Sequence, residues 1–320
     1  MKIGVINKNE KIFLTAFYEG NLVSLPDALE DLGEKRINEM GAFIRAWHSD
    51  IVHLNERIYK LYKAGKTSFY TLPAANAEFL PPMPQNPKIL TGRGNSAVFV
   101  RSIRGALCKQ PVLEQRYNFN YAGHNSTFCL DPTYKGAGGW NYEMVMIIGK
   151  TAKNVRKEDA YDYIFGYTSM IDIGIHKEGY PFDVGGIWSM PAEDKVFSDY
   201  AYEGCFNGNV SAPIPLGPFI VTKDEAGDPH NQILTERESG MLISHGMTDA
   251  VYFTFPETLA YLSSFMTLDP GDMVDSASIT YDGYPFQDSY DEGSFIEGGT
   301  TNIDAVRLYL DDKRRERSQS

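Results

Sequence analysis

The first 25 residues alternate between apolar and polar side chains through KIGVI, KIFLTAFY and NLVSL. Alternation with a period of two is typical of half-buried strands, so this stretch predicts a short hairpin or meander. From Pro26-Asp27 onward the period changes, and apolar residues recur every three or four positions, as on one face of an amphipathic helix. The pattern predicts one or two helices that pack on the hairpin through Ile37, Met40, Ile44, Trp47, Ile51, Leu54, Ile58 and Leu61.

A proline-rich segment, LPPMPQNP over residues 80–87, ends this pattern. Beyond it, short β-like runs are separated by Gly, Pro, Asn and Asp, and helical stretches are expected near 157–165 and 256–266. The clearest β-like runs are 88–92, 144–149, 218–222, 241–246 and 250–255. Strands with few helices indicate a β-rich α+β fold containing a roll or barrel. We therefore expect a small N-terminal α/β domain (1–82), a β-rich domain (83–312) and a charged tail (313–320).

Composition and charge narrow the class of protein. The chain has 320 residues, a formal net charge of −12 and 42% hydrophobic residues, values typical of a folded acidic protein. This charge argues against nucleic-acid binding, which needs a basic surface. Three widely spaced cysteines predict neither a disulfide framework nor a zinc cage. Because neither an apolar signal segment nor a membrane-length apolar run is recognisable, we expect a cytoplasmic protein without membrane contact.

The stretch WNYEMVMIIGK, residues 140–150, places one acid at the start of an apolar run. Residues two apart in a strand point to the same face, so Asn141 and Glu143 are expected to project together. On its own this pattern fits two interpretations equally well. Glu143 is either a solvated acid at the edge of a strand or part of a pair of oxygen-bearing side chains with a chemical role.

Five stretches, in this order and spacing, resemble the fumarylacetoacetate hydrolase superfamily. They are WNYEMVMIIGK (140–150), GYTSMIDIG (166–174), PIPLGPFIVTKDEAGDP (213–229), SGMLISHGMTD (239–249) and AYLSSFMTLDPGDMVDSAS (260–278). The resemblance covers roughly residues 80 to 310. It implies a mixed β-roll or barrel catalytic domain, a small-molecule carboxylate substrate and a homodimer.

The resemblance also implies a site for a divalent cation, Mg²⁺ or Mn²⁺. Members of the superfamily hold the ion with a Glu-x-Glu pair and a later aspartate, and these positions correspond to Asn141, Glu143 and Asp172. Hard cations prefer such oxygen ligands and leave positions open for a bidentate 2-oxo acid. Asn141 departs from the family pattern and leaves two carboxylates instead of three. A metal site and a metal-free derivative of it therefore both stay open.

Other family positions are substituted. Asn95 is kept after the first strand of the β-rich domain and is a candidate substrate-binding residue. A His-x-x-Glu pair that activates water in related hydrolases is replaced by Phe99 and Ser102, so the chain has no obvious general base for hydrolysis. The family's catalytic lysine aligns with Gly208 without gaps and with Lys195 if an insertion is allowed.

Hydroxyl and imidazole groups occupy several further family positions. Ser244, Ser276 and Ser278 retain groups able to bind a substrate carboxylate. His176 and His245 are candidate catalytic residues, and a structural imidazole is the alternative for each. An insertion rich in aromatic residues, 177–212, is expected either to cover the pocket or to pack against a partner subunit.

Three functions are compatible with these residues. The first is C–C bond hydrolysis of a 2-oxo or β-dicarbonyl acid through a metal-stabilised enolate. The second is enolate chemistry without attack by water, that is isomerisation, tautomerisation, decarboxylation or dehydration, which the loss of the His-x-x-Glu pair favours. The third is a metal-free, repurposed or non-catalytic binding protein on the same scaffold.

Overall fold

The computed structural model describes residues 1–65, 71–83, 85–96, 108–115, 121–131, 139–174, 212–276, 279 and 284–314. Several sequence predictions lie outside these residues: those for Phe99, Ser102, His176, Lys195, Gly208, Ser278 and all but the last residue of 177–212. In the described part of the chain no helix is long and apolar enough to cross a membrane.

The strands carry most of the architecture. In chain order they are β1 Lys2–Lys8, β2 Lys11–Tyr18, β3 Asn21–Ser24, β4 Thr71–Pro73, β5 Glu78–Leu80, β6 Ile89–Arg93, β7 Val112–Gln115, β8 Tyr121–Gly123, β9 Ser126–Leu130, β10 Gly139–Ile148, β11 Ile164–Gly174, β12 Ile214–Leu216, β13 Phe219–Thr222, β14 Ile233–Glu238, β15 Met241–Met247, β16 Met273–Asp275, β17 Tyr284–Pro285, β18 Phe295–Thr300 and β19 Val306–Asp312.

The helices are short and lie between the strands. They are α1 Leu25–Asp31, α2 Met40–Trp47, α3 Ile51–Lys63, α4 Lys223–Ala226 and α5 Phe255–Phe265, with 3₁₀ turns at Ala74–Asn76, Lys157–Tyr163 and Thr248–Ala250. Ser24 caps α1 by accepting a hydrogen bond from the Asp27 amide. Proline in the first turn of α1 and of α5 suits positions whose N–H groups have no partner within the helix.

Two sheets organise these elements. The larger has the order β4-β3-β2-β1-β13-β11-β10-β16-β6-β7, with β5 paired to β1, β12 to β11, β8 to β12 and β17 to β10. The smaller has the order β15-β14-β18-β19-β9. Parallel pairing occurs between β16 and β6, β12 and β8, and β19 and β9. This is the β-rich α+β architecture with mixed sheets that the sequence predicted.

The N-terminal strands belong to the same sheet as the strands of the predicted catalytic region. β1 pairs with β13, and Lys2 lies opposite Val221. Met1, Ile3 and the buried residues of α1–α3 share one hydrophobic core with Val145 and Ile147 of β10. The domain boundary after residue 82 stays a prediction, and both strand pairing and core packing continue across it.

β10 lies in the middle of the larger sheet and is buried on both faces. Val145 and Ile147 face the core formed with the N-terminal helices, whereas Met144 and Met146 face a second core that contains Leu259 of α5. Burial on both faces explains the uninterrupted apolar run, because neither face needs polar residues for water. The N-terminal half of β10 carries the residues of the candidate site.

The structure confirms several sequence predictions and corrects two. β1–β3 form the predicted antiparallel meander, and α2 and α3 bury the predicted apolar stripe at Met40, Ile44, Ile51, Leu54 and Ile58. The prediction of a strand over 250–255 was wrong, because a 3₁₀ turn ends at Ala250 and α5 begins at Phe255. The helix expected over 157–165 is a 3₁₀ helix over Lys157–Tyr163, a form that proteins use in short pieces.

Candidate active site

The predicted metal-ligating residues come together on one face of two adjacent strands. In the antiparallel register of β10 and β11, Asn141 lies directly opposite Asp172. Glu143 follows two residues along β10, so its side chain projects to the same face. All three are buried, with Glu143 exposed by only 2% and the other two by 8%. The Asn141 Nδ2 atom donates a hydrogen bond of 3.1 Å to Glu143 Oε1.

On the side of β10 away from β11, the strands that the structure describes pair with β10 in two separate places. β17 pairs with β10 at Gly139 and Trp140, and β16 pairs with it over Val145–Ile147. The interval between these pairings is the edge gap of β10. Two side chains accept the main-chain N–H groups there: Glu236 Oε1 from Tyr142 at 2.7 Å and Ser276 Oγ from Met144 at 3.2 Å.

Ser276 therefore lies next to Met144, the residue after Glu143 on β10, and Asn95 bonds to its carbonyl group. The Ser276 amide donates to the Met144 carbonyl at 2.8 Å, which continues the ladder of β16 by one residue. Asn95 Nδ2 donates to the carbonyl oxygens of Ser276 and Phe253, both at 2.9 Å, and Asn95 Oδ1 accepts from the Phe253 amide at 2.6 Å. Asn95 thus joins two loops by main-chain hydrogen bonds, and its predicted role in substrate binding stays a prediction.

Ser244 and His245 lie on β15 of the smaller sheet. Ser244 is opposite Glu236 and His245 is opposite Thr235. Ser244 is buried and His245 is exposed, as expected for neighbours that point to opposite faces of a strand. Ser244 consequently shares a face with the glutamate that contacts β10, whereas His245 points away from that face. The roles predicted for both residues stay predictions.

Two buried acids next to the site were missed by the sequence reasoning. Glu236 is fully buried, and Asp275 is exposed by only 3%. Asp275 lies opposite Val145, and its Oδ1 atom accepts a hydrogen bond of 2.7 Å from the Gly92 amide. For Glu236 the sequence did contain a signal, the alternation Leu234-x-Glu236-x-Glu238. Residues two apart share one face of a strand, so both acids lie on the same face as the apolar Leu234, which is expected to be buried.

Tyr142 fixes the part of β10 between Asn141 and Glu143. Burial raises the pKa of Tyr142 above its usual range, so its hydroxyl stays protonated. The Tyr142 hydroxyl lies 3.3 Å from Ser169 Oγ, which donates its own proton to the Asp304 carbonyl at 2.6 Å. β18 of the smaller sheet approaches Tyr142 at Gly298, where an added Cβ would lie 2.7 Å from Tyr142 Cβ. Glycine at 298 is therefore required for this close approach.

The three oxygen-bearing side chains fit a hard divalent cation. Mg²⁺ is commonly bound by one or two carboxylates, with water and substrate completing the octahedron. Glu143 and Asp172 supply the carboxylates, and Asn141 supplies an amide oxygen on the same face. Within the described residues, no group of three or more His, Cys, Asp or Glu side chains could hold a metal ion. Asn141 is therefore the third donor that the chain offers at this place.

Comparisons with known proteins agree with the sequence resemblance. The model of the fumarylacetoacetate (FAA) hydrolase C-terminal family matches residues 120–280, half of the chain. Mitochondrial oxaloacetate tautomerase Fahd2a of Rattus norvegicus is 26% identical over 203 residues, which are 63% of this chain and 59% of that protein. An uncharacterized protein of Pyrococcus abyssi is 32% identical over 194 residues, 58% of this chain and 76% of that one. The alignment with the rat tautomerase thus leaves much of both proteins unmatched.

Solved structures share the fold over nearly the whole chain. Maleylpyruvate hydrolase from Sphingobium sp. SYK-6 has a TM-score of 0.71 at 18% identity and covers 98% of this chain and 100% of its own. A structure of that hydrolase in complex with manganese(II) and pyruvate has a TM-score of 0.68 at 18% identity, with coverage of 98% and 99%. With half of its length matched by the family model, the chain belongs to the fumarylacetoacetate hydrolase family of enzymes.

Proposed function

We propose that the chain catalyses enolisation of a small 2-oxo or β-dicarbonyl acid, in the form of keto–enol tautomerisation of a 2-oxo dicarboxylate such as oxaloacetate. The observation that carries the proposal is the placement of Asn141 opposite Asp172, with Glu143 on the same buried face. The tautomerase among the similar proteins supports this choice of reaction. Phe99 and Ser102, at the positions of the water-activating pair, support a reaction that does not consume water.

Tautomerisation balances without another reactant. A proton leaves the carbon next to the carbonyl group, and the carbonyl oxygen gains a proton. Mg²⁺ or Mn²⁺, when bound by the oxygens of Asn141, Glu143 and Asp172, would supply positive charge beside that carbonyl oxygen and so favour proton loss from carbon. The chain's own residues orient the ligands: Asn141 holds Glu143 through its amide, and β11 holds Asp172 opposite Asn141.

Substrate carboxylates would be bound by hydroxyl groups next to the metal-ligating face. Ser276, which exchanges hydrogen bonds with Met144 of the same strand as Glu143, is one predicted hydroxyl, and Ser278, two residues on, is the second. His176 and Lys195 remain the predicted candidates for proton transfer. The homodimer implied by the resemblance and the cytoplasmic location expected from the sequence stay predictions.

C–C bond hydrolysis is the second candidate, because the matching family model is named for a hydrolase. Both reactions begin with the same enolate, and they differ in whether water then attacks a carbonyl carbon. Attack needs a general base within reach of that water. The chain has no histidine or glutamate at residues 99 and 102, where its family relatives carry that base.

The two reactions are separated by a pair of assays with Mg²⁺ or Mn²⁺ present. Ketonisation of oxaloacetate is followed by the loss of enol absorbance, and hydrolysis is followed by pyruvate release from an acylpyruvate. We expect accelerated ketonisation without pyruvate release. Glu143→Gln should lower kcat/KM by about 100-fold or more, since it removes one of two ligand charges, while exposed Glu158→Gln should leave it unchanged.

The remaining outcomes are equally informative. Pyruvate release that depends on Glu143 would replace tautomerisation by hydrolysis as the function. The absence of both reactions, together with no metal-dependent rise in melting temperature, would contradict the proposal and favour a metal-free binding protein, since a ligand that binds the folded state must stabilise it.

A further inference from the structure

We infer that Glu236 is a positioning residue of the candidate site, which sets the presentation of Asn141 and Glu143 through its hydrogen bond to the Tyr142 amide. This inference rests on the proposed function, because it assigns Asn141 and Glu143 the role of metal ligands. Among the strands that the structure describes, none pairs with β10 in its edge gap, between the pairings with β17 and β16.

A main-chain N–H buried in such a gap must find another acceptor, because an unpaired buried amide costs about as much free energy as a lost hydrogen bond. Tyr142 is the residue between the two ligands of β10, and its N–H points into the gap. Glu236 Oε1 accepts it at 2.7 Å. Ser276 Oγ likewise accepts the Met144 N–H at 3.2 Å.

Glu236 reaches β10 from the other sheet. It lies on β14, whose neighbours are β15 and β18, and its side chain is fully buried. A carboxylate is a stronger acceptor for an amide than a neutral group, and hydrogen bonds to charged groups are shorter and stronger. A fully buried acid is costly to place in a protein interior unless its hydrogen bonds are satisfied. Its bond to Tyr142 therefore links β10 of the larger sheet directly to β14 of the smaller one.

The consequence for the site follows from strand geometry. Asn141 and Glu143 leave β10 on either side of Tyr142, so any shift or twist of this residue moves both ligands relative to Asp172 on β11. Gly298 of β18 supports the same contact, because an added Cβ would lie 2.7 Å from Tyr142 Cβ. Partners that orient metal ligands without touching the ion typically change metal affinity by about 10–100-fold when they are mutated.

Glu238 provides a matched control on the same strand. It lies two residues from Glu236, on the same face, and is also buried, with 8% exposure. Its carboxylate accepts a hydrogen bond of 2.8 Å from Gln287 Nε2. Removal of Glu238 therefore perturbs a buried glutamate of β14 and leaves the Tyr142 contact intact.

The test uses Glu236→Leu, Glu236→Gln and Glu238→Leu with two measurements. The first is hydrogen exchange of the Tyr142 amide in the metal-free protein, and the second is the dissociation constant for Mn²⁺ from the paramagnetic resonance signal of the free ion. We expect Glu236→Leu to speed Tyr142 exchange by about tenfold or more and to weaken Mn²⁺ binding about 10–100-fold. Glu236→Gln retains an oxygen acceptor and should restore most of both properties, and Glu238→Leu should change neither.

The two measurements separate failure of the inference from failure of the proposed function. The inference would be overturned if Tyr142 exchange and Mn²⁺ affinity in Glu236→Leu both stayed at their wild-type values. It would also be overturned if Glu238→Leu lost as much Tyr142 protection and Mn²⁺ affinity as Glu236→Leu. If the wild-type protein binds no Mn²⁺, the metal part of the proposed function fails. Tyr142 exchange then still decides whether Glu236 positions β10. If Glu236→Leu does not fold, Glu236→Met, which has a similar shape and no oxygen acceptor for the Tyr142 amide, takes its place in both measurements.

Discussion

His124 is a half-buried base whose neutral form is favoured by the fold. Its Nδ1 atom accepts a hydrogen bond of 3.2 Å from the Arg307 amide, and the edge of its ring contacts Phe79. Burial, with the nearby Arg307 charge, lowers its pKa from 6.5 to about 4. This shift makes the stability of the protein depend on pH.

The direction of this dependence follows from the two pKa values. Above pH 6.5 His124 is neutral in both states, and its full contribution to stability is present. As the pH falls from 6.5 towards 4, the unfolded chain takes up a proton that the folded chain does not, so the free energy of unfolding decreases. At 1.36 kcal/mol per pH unit, the decrease is about 3 kcal/mol when complete.

Urea unfolding at a series of pH values checks this prediction with His124→Asn, which retains an acceptor but does not titrate. We expect the wild type to lose about 2–3 kcal/mol more than the variant between pH 6.5 and 4. Parallel pH profiles for the two proteins would show that His124 does not titrate as its burial requires.

The shared face of Asn141, Glu143 and Asp172 could largely be predicted from the sequence, whereas the contacts that support it could not. The spacing of Asn141 and Glu143 already places both on one face of a strand, and the resemblance adds Asp172. The contact between Glu236 and the Tyr142 amide joins residues 94 positions apart on different sheets. Periodicity indicates only that Glu236 is buried, because the choice of partner depends on how the two sheets pack.

At the scale of elements, side chains repeatedly take the place of main-chain partners. Asn95 provides an example, since its side chain bonds to both main-chain groups of Phe253 and its carbonyl accepts from the Tyr252 amide at 2.6 Å. These bonds hold 251–253 as a loop, although its apolar and aromatic residues favour a strand. The incorrect strand prediction over 250–255 therefore has a tertiary cause.

The same loop ends in a capping box at the start of α5. The Thr254 side chain accepts from the Glu257 amide, and the Glu257 carboxylate accepts from the Thr254 amide at 2.9 Å. The Thr-x-x-Glu spacing is visible in the sequence and marks a helix start. This cap explains why α5 begins one residue before Pro256, which then occupies the second helical position.

Thr254→Ala should lower the free energy of unfolding by about 1 kcal/mol, because it leaves first-turn amides without a partner. Thr254→Ser keeps the hydroxyl and serves as the control, with a loss of a few tenths of a kcal/mol at most. Denaturant unfolding of the three proteins measures the difference. Equal stability of the alanine and serine variants would mean that the hydroxyl does not contribute to the cap.

At the scale of the whole molecule, the N-terminal unit and the catalytic region share a sheet and a core. The sequence predicted the elements of both regions from local periodicity, but pairing of β1 with β13 joins residues more than 200 positions apart. Such a contact leaves no local pattern. The buried side chain of Ile3, opposite Ile220 in this pairing, belongs to the shared core.

We therefore expect the described regions to unfold together. Ile3→Ala removes buried methyl groups and should lower the free energy of unfolding by about 2–5 kcal/mol, with fluorescence and far-ultraviolet circular dichroism giving the same shifted midpoint. Ile12→Ala is the control, because Ile12 lies on β2 and is 65% exposed. Separate transitions, with only one of them shifted, would show that the two regions unfold independently.

The edge gap of β10 also has a consequence for the order of events during protein synthesis. Asn141, Glu143 and Asp172 leave the ribosome well before Glu236 and Ser276, which occupy the gap. Until residue 276 has emerged, the Tyr142 and Met144 amides lack these two acceptors, although β11 can already pair with β10. A nascent chain thus contains every predicted metal ligand before the two side chains that occupy the edge gap of β10 have both been synthesised.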